Sequence, residues 1–185
     1  MAACGLDMMN KGKLPGNTVV ATVMSNLGFH VFAKEHQMKL ECTSVGDRNV
    51  LECMLEHGYM LGGEQSGHMI FLENATTGDG ELTALKILAL LKESGMKASE
   101  LFNCPQYPQV LINVKVADND VKKAVMASAE LADAIRSEEE KLDGAGRILV
   151  RPSGTEALMR VMVEAKTQEI AQSVAEHLAG IIEKM

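Results

Sequence analysis

With 185 residues, 46% of them hydrophobic and 23% charged, the chain can bury one large core or two small ones. Its net charge of -7, without any Lys/Arg block, argues against a nucleic-acid partner, which needs a basic face to neutralise phosphates. No apolar run reaches transmembrane length and no secretory pattern opens the chain, so no membrane partner is expected and the cytoplasm is the expected compartment.

Aromatic residues are only 3% of the total, so the core must rest on Leu, Val, Ile, Ala and Met. Residues 1–9 read as the middle of an apolar helix without an opening cap, and the chain is therefore expected to be cut from a longer one. Residues 17–24 (NTVVATVM) predict a buried strand. Ser25 or Asn26 can cap a helix to about residue 39, with Leu27, Val31, Phe32 and Met38 facing inward. A second strand is expected over 40–45. Gly46-Asp47 then turns into a helix whose stripe is Val50, Leu51, Met54 and Leu55, ending near Gly58. Residues 59–67 read as a glycine-marked loop and 68–73 as a strand. Leu82, Leu85, Leu88 and Leu91 then predict a strong helix closed by Gly95. Strands alternating with helices give an α/β fold class for this first unit.

Pro105 and Pro108 bracket a domain boundary, and residues 103–109 are expected to act as a hinge. Beyond it, alternation of Val110, Ile112, Val114 and Val116 predicts a strand. One helix is expected over 121–141, capped by Asp118 or Asn119, with short strands over 147–150 and 158–165 and a closing helix over 168–184. The second unit therefore reads as a small α+β domain. Cys4, Cys42, Cys53 and Cys104 show no metal or disulfide spacing and read as buried free thiols.

Two loops could carry chemistry. Gly63-Glu64-Gln65-Ser66-Gly67-His68 offers hydrogen-bonding groups of every kind to sugar hydroxyls, and the spacing sets Glu64, Ser66 and His68 on one side of an extended segment. A polar surface turn is the bland alternative. In Arg151-Pro-Ser-Gly-Thr-Glu156, the Arg151 fork, the hydroxyls of Ser153 and Thr155 and the N–H groups around Gly154 suit a phosphate. Arg160 could reinforce the positive field. The competing reading is a helix start, because Ser153-x-x-Glu156 has the form of a capping box. Arg48, at the head of a helix, is a lesser anion candidate. Residues 76–80 (TTGDG) read as a cap for the helix that follows.

In this order, GGEQSGH and RPSGTE resemble the α-D-phosphohexomutase superfamily, as do NTVVATVMSNLGF, TSVGDRNV and TTGDGELTAL. Gln65 and His68 are similar to its phosphoglucosamine mutase branch. The resemblance implies the C-terminal part of a four-domain enzyme that interconverts glucosamine 6-phosphate and glucosamine 1-phosphate through a phosphoserine and a bisphosphate. Residues 1–16 would be the tail of the second domain, 17–104 a sugar-binding three-layer α/β domain and 105–185 the phosphate-binding α+β domain. Glu64, Ser66 and His68 would grip the sugar, and Arg151, Ser153, Gly154 and Thr155 the phosphate that is not transferred.

The family's serine loop and its magnesium-holding D-x-D-x-D loop are not in this sequence, so no catalytic residue and no metal or other cofactor is expected here. The chain alone should be inactive. Its expected partners are a phosphosugar and the missing N-terminal domains, with a homodimer left open. Ala157 stands where the family usually has Pro, and Asn49 where Tyr is common. A mutase for glucose or mannose phosphate, or a non-catalytic sugar-phosphate-binding module, would fit the same loops.

Overall fold

Val19, Val20 and Ala21 have no solvent exposure, which places their strand under cover on both faces. In the computed structural model, which describes residues 1–101 and 104–185, this strand is β1 (Thr18–Thr22) of the first of two units, Met1–Gln106 and Tyr107–Met185. Around it stand α1 (Ala2–Asn10), α2 (Leu27–Glu35), β2 (Lys39–Thr43), α3 (Asp47–His57), β3 (Leu61–Gly63), β4 (Met69–Phe71), α4 (Gly80–Ser94) and the short α5 (Ala98–Leu101). The sheet order is β2-β1-β3-β4, parallel except for β4.

Alternation along β1 splits the interior in two. Val19 and Ala21 join Cys4, Phe29, Phe32 and Leu61 on one face, while Val20 joins Val50, Met54 and Ile70 on the other. Helices on both faces make this unit three-layered. Where sequence reasoning assigned residues 1–16 to a preceding domain, Cys4, Met8 and Leu14 lie in the core of this same unit. The uncapped apolar helix is simply its first layer.

Three local expectations shift. Residues 61–63, expected as loop, form the buried strand β3, because Gly62 lets Met54 and Val50 approach its backbone closely. In α2 the inward residues are Phe29, Phe32 and Ala33, and the helix stops at Glu35. In α4, Leu85 and Leu88 are more than half exposed and Leu90 is the buried residue, with Leu82 and Ile87 packed on the core. Leucines three apart precess around a helix of 3.6 residues per turn, so such a row cannot stay on one face. Cys4 is buried, while Cys42, Cys53 and Cys104 are half-buried, and none of the four is in a disulfide. The expected hinge begins at Asn103, outside the described residues.

The second unit contains β5 (Gln109–Lys115), α6 (Asn119–Met126), α7 (Ala129–Leu142), β6 (Gly146–Pro152), β7 (Leu158–Ala165) and α8 (Gln168–Ile182). Its sheet is antiparallel in the order β5-β7-β6. Val110, Val114, Ile148, Val161 and Val163 pack with Ala171, Ala175 and Leu178 of α8. The single helix expected over 121–141 is two. Ser128 accepts a hydrogen bond from the Leu131 N–H and caps α7, a break that continuous helix propensity hides.

Helices α7 and α8 are joined by Glu138, whose carboxylate meets Lys141 Nζ at 2.8 Å and His177 Nδ1 at 2.8 Å. The Lys141 hydrogen bond chiefly, with His177 in support, outweighs burial and holds the Glu138 carboxyl below the ordinary 4.5. A depressed carboxyl stabilises the fold fully above its unfolded value, and that stability is lost as pH falls through the folded value. The melting-temperature gap between the wild type and Glu138→Gln should therefore be present at about pH 7 and close progressively as pH falls below the ordinary 4.5. A gap that stays open in acid would show that the carboxylate is not its source.

Candidate functional site

The antiparallel pairing of β3 with β4 sets Gly63 opposite Met69, so residues 64–68 form a hairpin loop. The Glu64 N–H donates to the His68 carbonyl at 2.9 Å, and the Gly67 N–H to the Glu64 carbonyl at 3.1 Å. Gly67 takes φ of 102°, a backbone region that side chains disfavour. The turn brings Ser66 Oγ to 3.4 Å from His68 Nδ1, and both residues are exposed.

Glu64 behaves differently. It is half-buried, and its Oε1 accepts the Gly46 N–H at 2.9 Å, bracing the loop against the start of α3. Gln65 is held from the sheet side, where the buried Thr22 hydroxyl donates to its Oε1 at 3.3 Å. A Cβ on Gly78 would come within 3.1 Å of the His68 ring, so glycine there lets residues 76–80 run close behind the histidine. In the same segment Asp79 caps α4 by accepting from the Leu82 N–H. All three expected sugar-binding residues thus sit on one loop, but only Ser66 and His68 touch. Thr22 was read only as part of a strand, Gly46 only as a turn and Gly78 only within a helix cap; their contacts with this loop come from elements distant in sequence, which leave no local signal. Arg48 extends into solvent, 85% exposed, and pairs with Glu52 at 2.8 Å.

In the second unit, β6 and β7 diverge at residues 152 and 159, and the chain between them is the second loop. The capping-box contact forms, with the Glu156 N–H donating to Ser153 Oγ at 3.2 Å, but no helix follows and the chain enters β7 at Leu158. Ser153 is buried at 4% exposure, so its hydroxyl braces the loop from within. Gly154 and Thr155 are exposed, and among the described residues neither N–H has a hydrogen-bond partner. At the far end, the Ala157 carbonyl accepts the Val116 N–H at 3.1 Å, tying the loop to β5.

Arg151 and Arg160 are register partners across β6 and β7. Directly opposed like charges destabilise an empty sheet and favour an anion. Arg160 donates to Glu156 at 3.1 Å, whereas no carboxylate pairs with Arg151 among the described residues. Burial first, then the Arg160 charge, pushes the Arg151 pKa down from its ordinary value. Both effects penalise the lone cation, and a bound dianion would relieve both.

Lys122 of α6 went unrecognised in the sequence. It is 8% exposed, and its Nζ donates to the carbonyls of Ser153 at 2.8 Å and Glu156 at 2.6 Å. A lysine inside the apolar spacing of Val121 and Val125 was the available signal. Among the described residues no group of three or more His, Cys, Asp or Glu side chains could hold a metal ion. Likewise, no described helix is long and apolar enough to cross a membrane.

Comparison with known proteins follows the same division. Residues 1–107 match the family described as phosphoglucomutase/phosphomannomutase, alpha/beta/alpha domain III, and residues 111–181 its C-terminal domain. The whole chain is 52% identical to part of the phosphoglucosamine mutase of Caldanaerobacter subterraneus subsp. tengcongensis and 54% identical to part of that of a Thermoanaerobacter species, covering 41% of each. Among solved structures, an N-acetylphosphoglucosamine mutase from Aspergillus fumigatus superposes with a TM-score of 0.81 at 20% identity, over 99% of this chain and 42% of that one. At that identity the likeness speaks for the fold alone. Together, the two matched domains show that the chain belongs to the phosphoglucomutase/phosphomannomutase family and corresponds to its third and C-terminal domains.

Proposed function

We propose that this chain supplies the substrate-holding half of a phosphoglucosamine mutase, which interconverts glucosamine 6-phosphate and glucosamine 1-phosphate through a phosphoserine and a bisphosphate. Ser66 and His68, on a loop braced by Glu64, recognise sugar hydroxyls. Arg151 and the N–H groups of Gly154 and Thr155 hold the phosphate that is not being transferred. Phosphoryl transfer rests on positioning and charge stabilisation, so a remote phosphate clamp contributes without touching the reacting atoms. The observation that carries the reading is the opposed Arg151–Arg160 pair beside two open N–H donors. Identity above 50% to relatives named phosphoglucosamine mutase supports the amino sugar over glucose or mannose.

Amide NMR of the 185-residue chain tests the proposal. Glucosamine 6-phosphate should shift the Gly154 and Thr155 amides and those of residues 64–68, whereas inorganic phosphate should shift only the first set. Perturbation of neither set at saturating ligand would end the reading. In the same sample no glucosamine 1-phosphate should accumulate, because the chain brings no phosphoserine loop as donor. Turnover that survives removal of trace contaminants would contradict that part.

A further inference from the structure

The second loop sorts its backbone groups by direction. The Ser153 N–H is spent on the Leu158 carbonyl and the Glu156 N–H on Ser153 Oγ. Between them, the N–H groups of Gly154 and Thr155 remain open. The carbonyls flanking those donors, Ser153 O and Glu156 O, both accept from the single ammonium of Lys122. Without it, Ser153 O would lose its donor and Glu156 O would keep only the Leu158 N–H, leaving carbonyl lone pairs in the loop to repel an approaching anion.

Lys122 differs from the other lysines of this unit in being buried, at 8% exposure, where Lys115, Lys123, Lys141, Lys166 and Lys184 are exposed. It has no carboxylate partner among the described residues. A buried ammonium left without a counter-charge is costly unless something negative comes near. Carbonyl dipoles meet part of that cost. They leave the full positive charge behind the loop, where low dielectric lets it act on the far side.

We propose that Lys122 is a positioning residue for phosphate binding. Its ammonium turns the loop's carbonyls inward, fixes the Gly154 and Thr155 donors outward, and adds a buried positive charge that favours a phosphate monoester dianion. It does not touch the ligand. This inference rests on the phosphate role of the loop proposed above.

The test titrates the full 185-residue chain with inorganic phosphate and with glucosamine 6-phosphate, following the Gly154 and Thr155 amides. Lys122→Met keeps the aliphatic stem and removes the charge; its affinity for both ligands should fall at least about tenfold, as expected when a buried unit charge no longer acts on a dianion through low-dielectric protein. Lys122→Arg should recover part of the loss, because charge and donors return with a different shape. A role in stability alone would lower the melting temperature of Lys122→Met and leave the affinity of the folded protein unchanged, and that result would overturn the proposal.

Should the variant not fold, the wild type still decides. Its Lys122 ammonium resonance should be protected from exchange and should move when phosphate saturates the loop. An unprotected or unmoved resonance overturns the inference. The two readings also fail differently. If wild-type Gly154 and Thr155 ignore phosphate, the loop's phosphate role falls and this inference with it. If they respond equally in wild type and Lys122→Met, only the role of Lys122 falls.

Discussion

Arg147→Met is expected to destabilise the second unit by about 3–5 kcal/mol, the usual consequence of removing one partner from a buried ion pair. Arg147 Nη2 lies 3.1 Å from Glu164 Oε2, and Glu164 has no solvent exposure. The two are register partners on β6 and β7, so the pair is fixed by the sheet rather than by flexible surface side chains. The cost arises from leaving the Glu164 charge buried without this guanidinium, not from the strength of the pair itself. Arg147→Met combined with Glu164→Leu should therefore regain most of the loss, because an apolar pair can replace a buried ionic one at little cost. Because the chain has two units, a single global unfolding curve would blur the effect. Native-state amide exchange at Met162 and Val163 reads it locally. Unchanged exchange in the single variant would mean that Arg147 does not compensate Glu164.

That ion pair also shows what the sequence could and could not reveal. Periodicity exposes whichever face of an element is uniformly apolar, and so β1, β5, β7 and α8 were readable from Val19, Val110, Val161 and Leu178. It says little where short strands pair, and β3 was hidden because Leu61-Gly62-Gly63 carries no alternation and only one β-forming side chain. It also cannot see across a register. Arg151 and Arg160 lie nine positions apart in sequence, yet the β6–β7 hairpin sets them opposite each other. The loops themselves were legible, since Gly, Ser, Thr and Arg in those orders have few uses besides ligand contact or turns. Their braces were not. Thr22 through its hydroxyl, Gly46 through its backbone N–H and Lys122 through its ammonium reach the loops from other elements, and a contact between elements distant in sequence leaves little local pattern. Glu64 and Ser153 show the reverse case, in which chemistry-bearing residues inside the loops are engaged with backbone N–H groups.

Arg151→Ala should separate binding from stability with opposite signs. In the free protein Arg151 faces Arg160 across the sheet, is partly buried, and has no carboxylate partner among the described residues. Removing one of two opposed like charges relieves a repulsion of roughly 0.2–1 kcal/mol, so the melting temperature should hold or rise slightly. Phosphate affinity should move the other way. A hydrogen bond to a charged group contributes about 1.5–3 kcal/mol, so losing the bidentate guanidinium should weaken glucosamine 6-phosphate binding at least about tenfold. Arg151→Lys retains a charge without the planar fork and should fall between the two. Such a trade, in which a residue costs stability and contributes binding, is expected where a site is built for a ligand that the free fold must do without. Calorimetric titration paired with a thermal melt of each variant checks both signs. An Arg151→Ala protein that binds as tightly as the wild type would remove Arg151 from the phosphate site, and one that melts far lower would make it a structural residue instead.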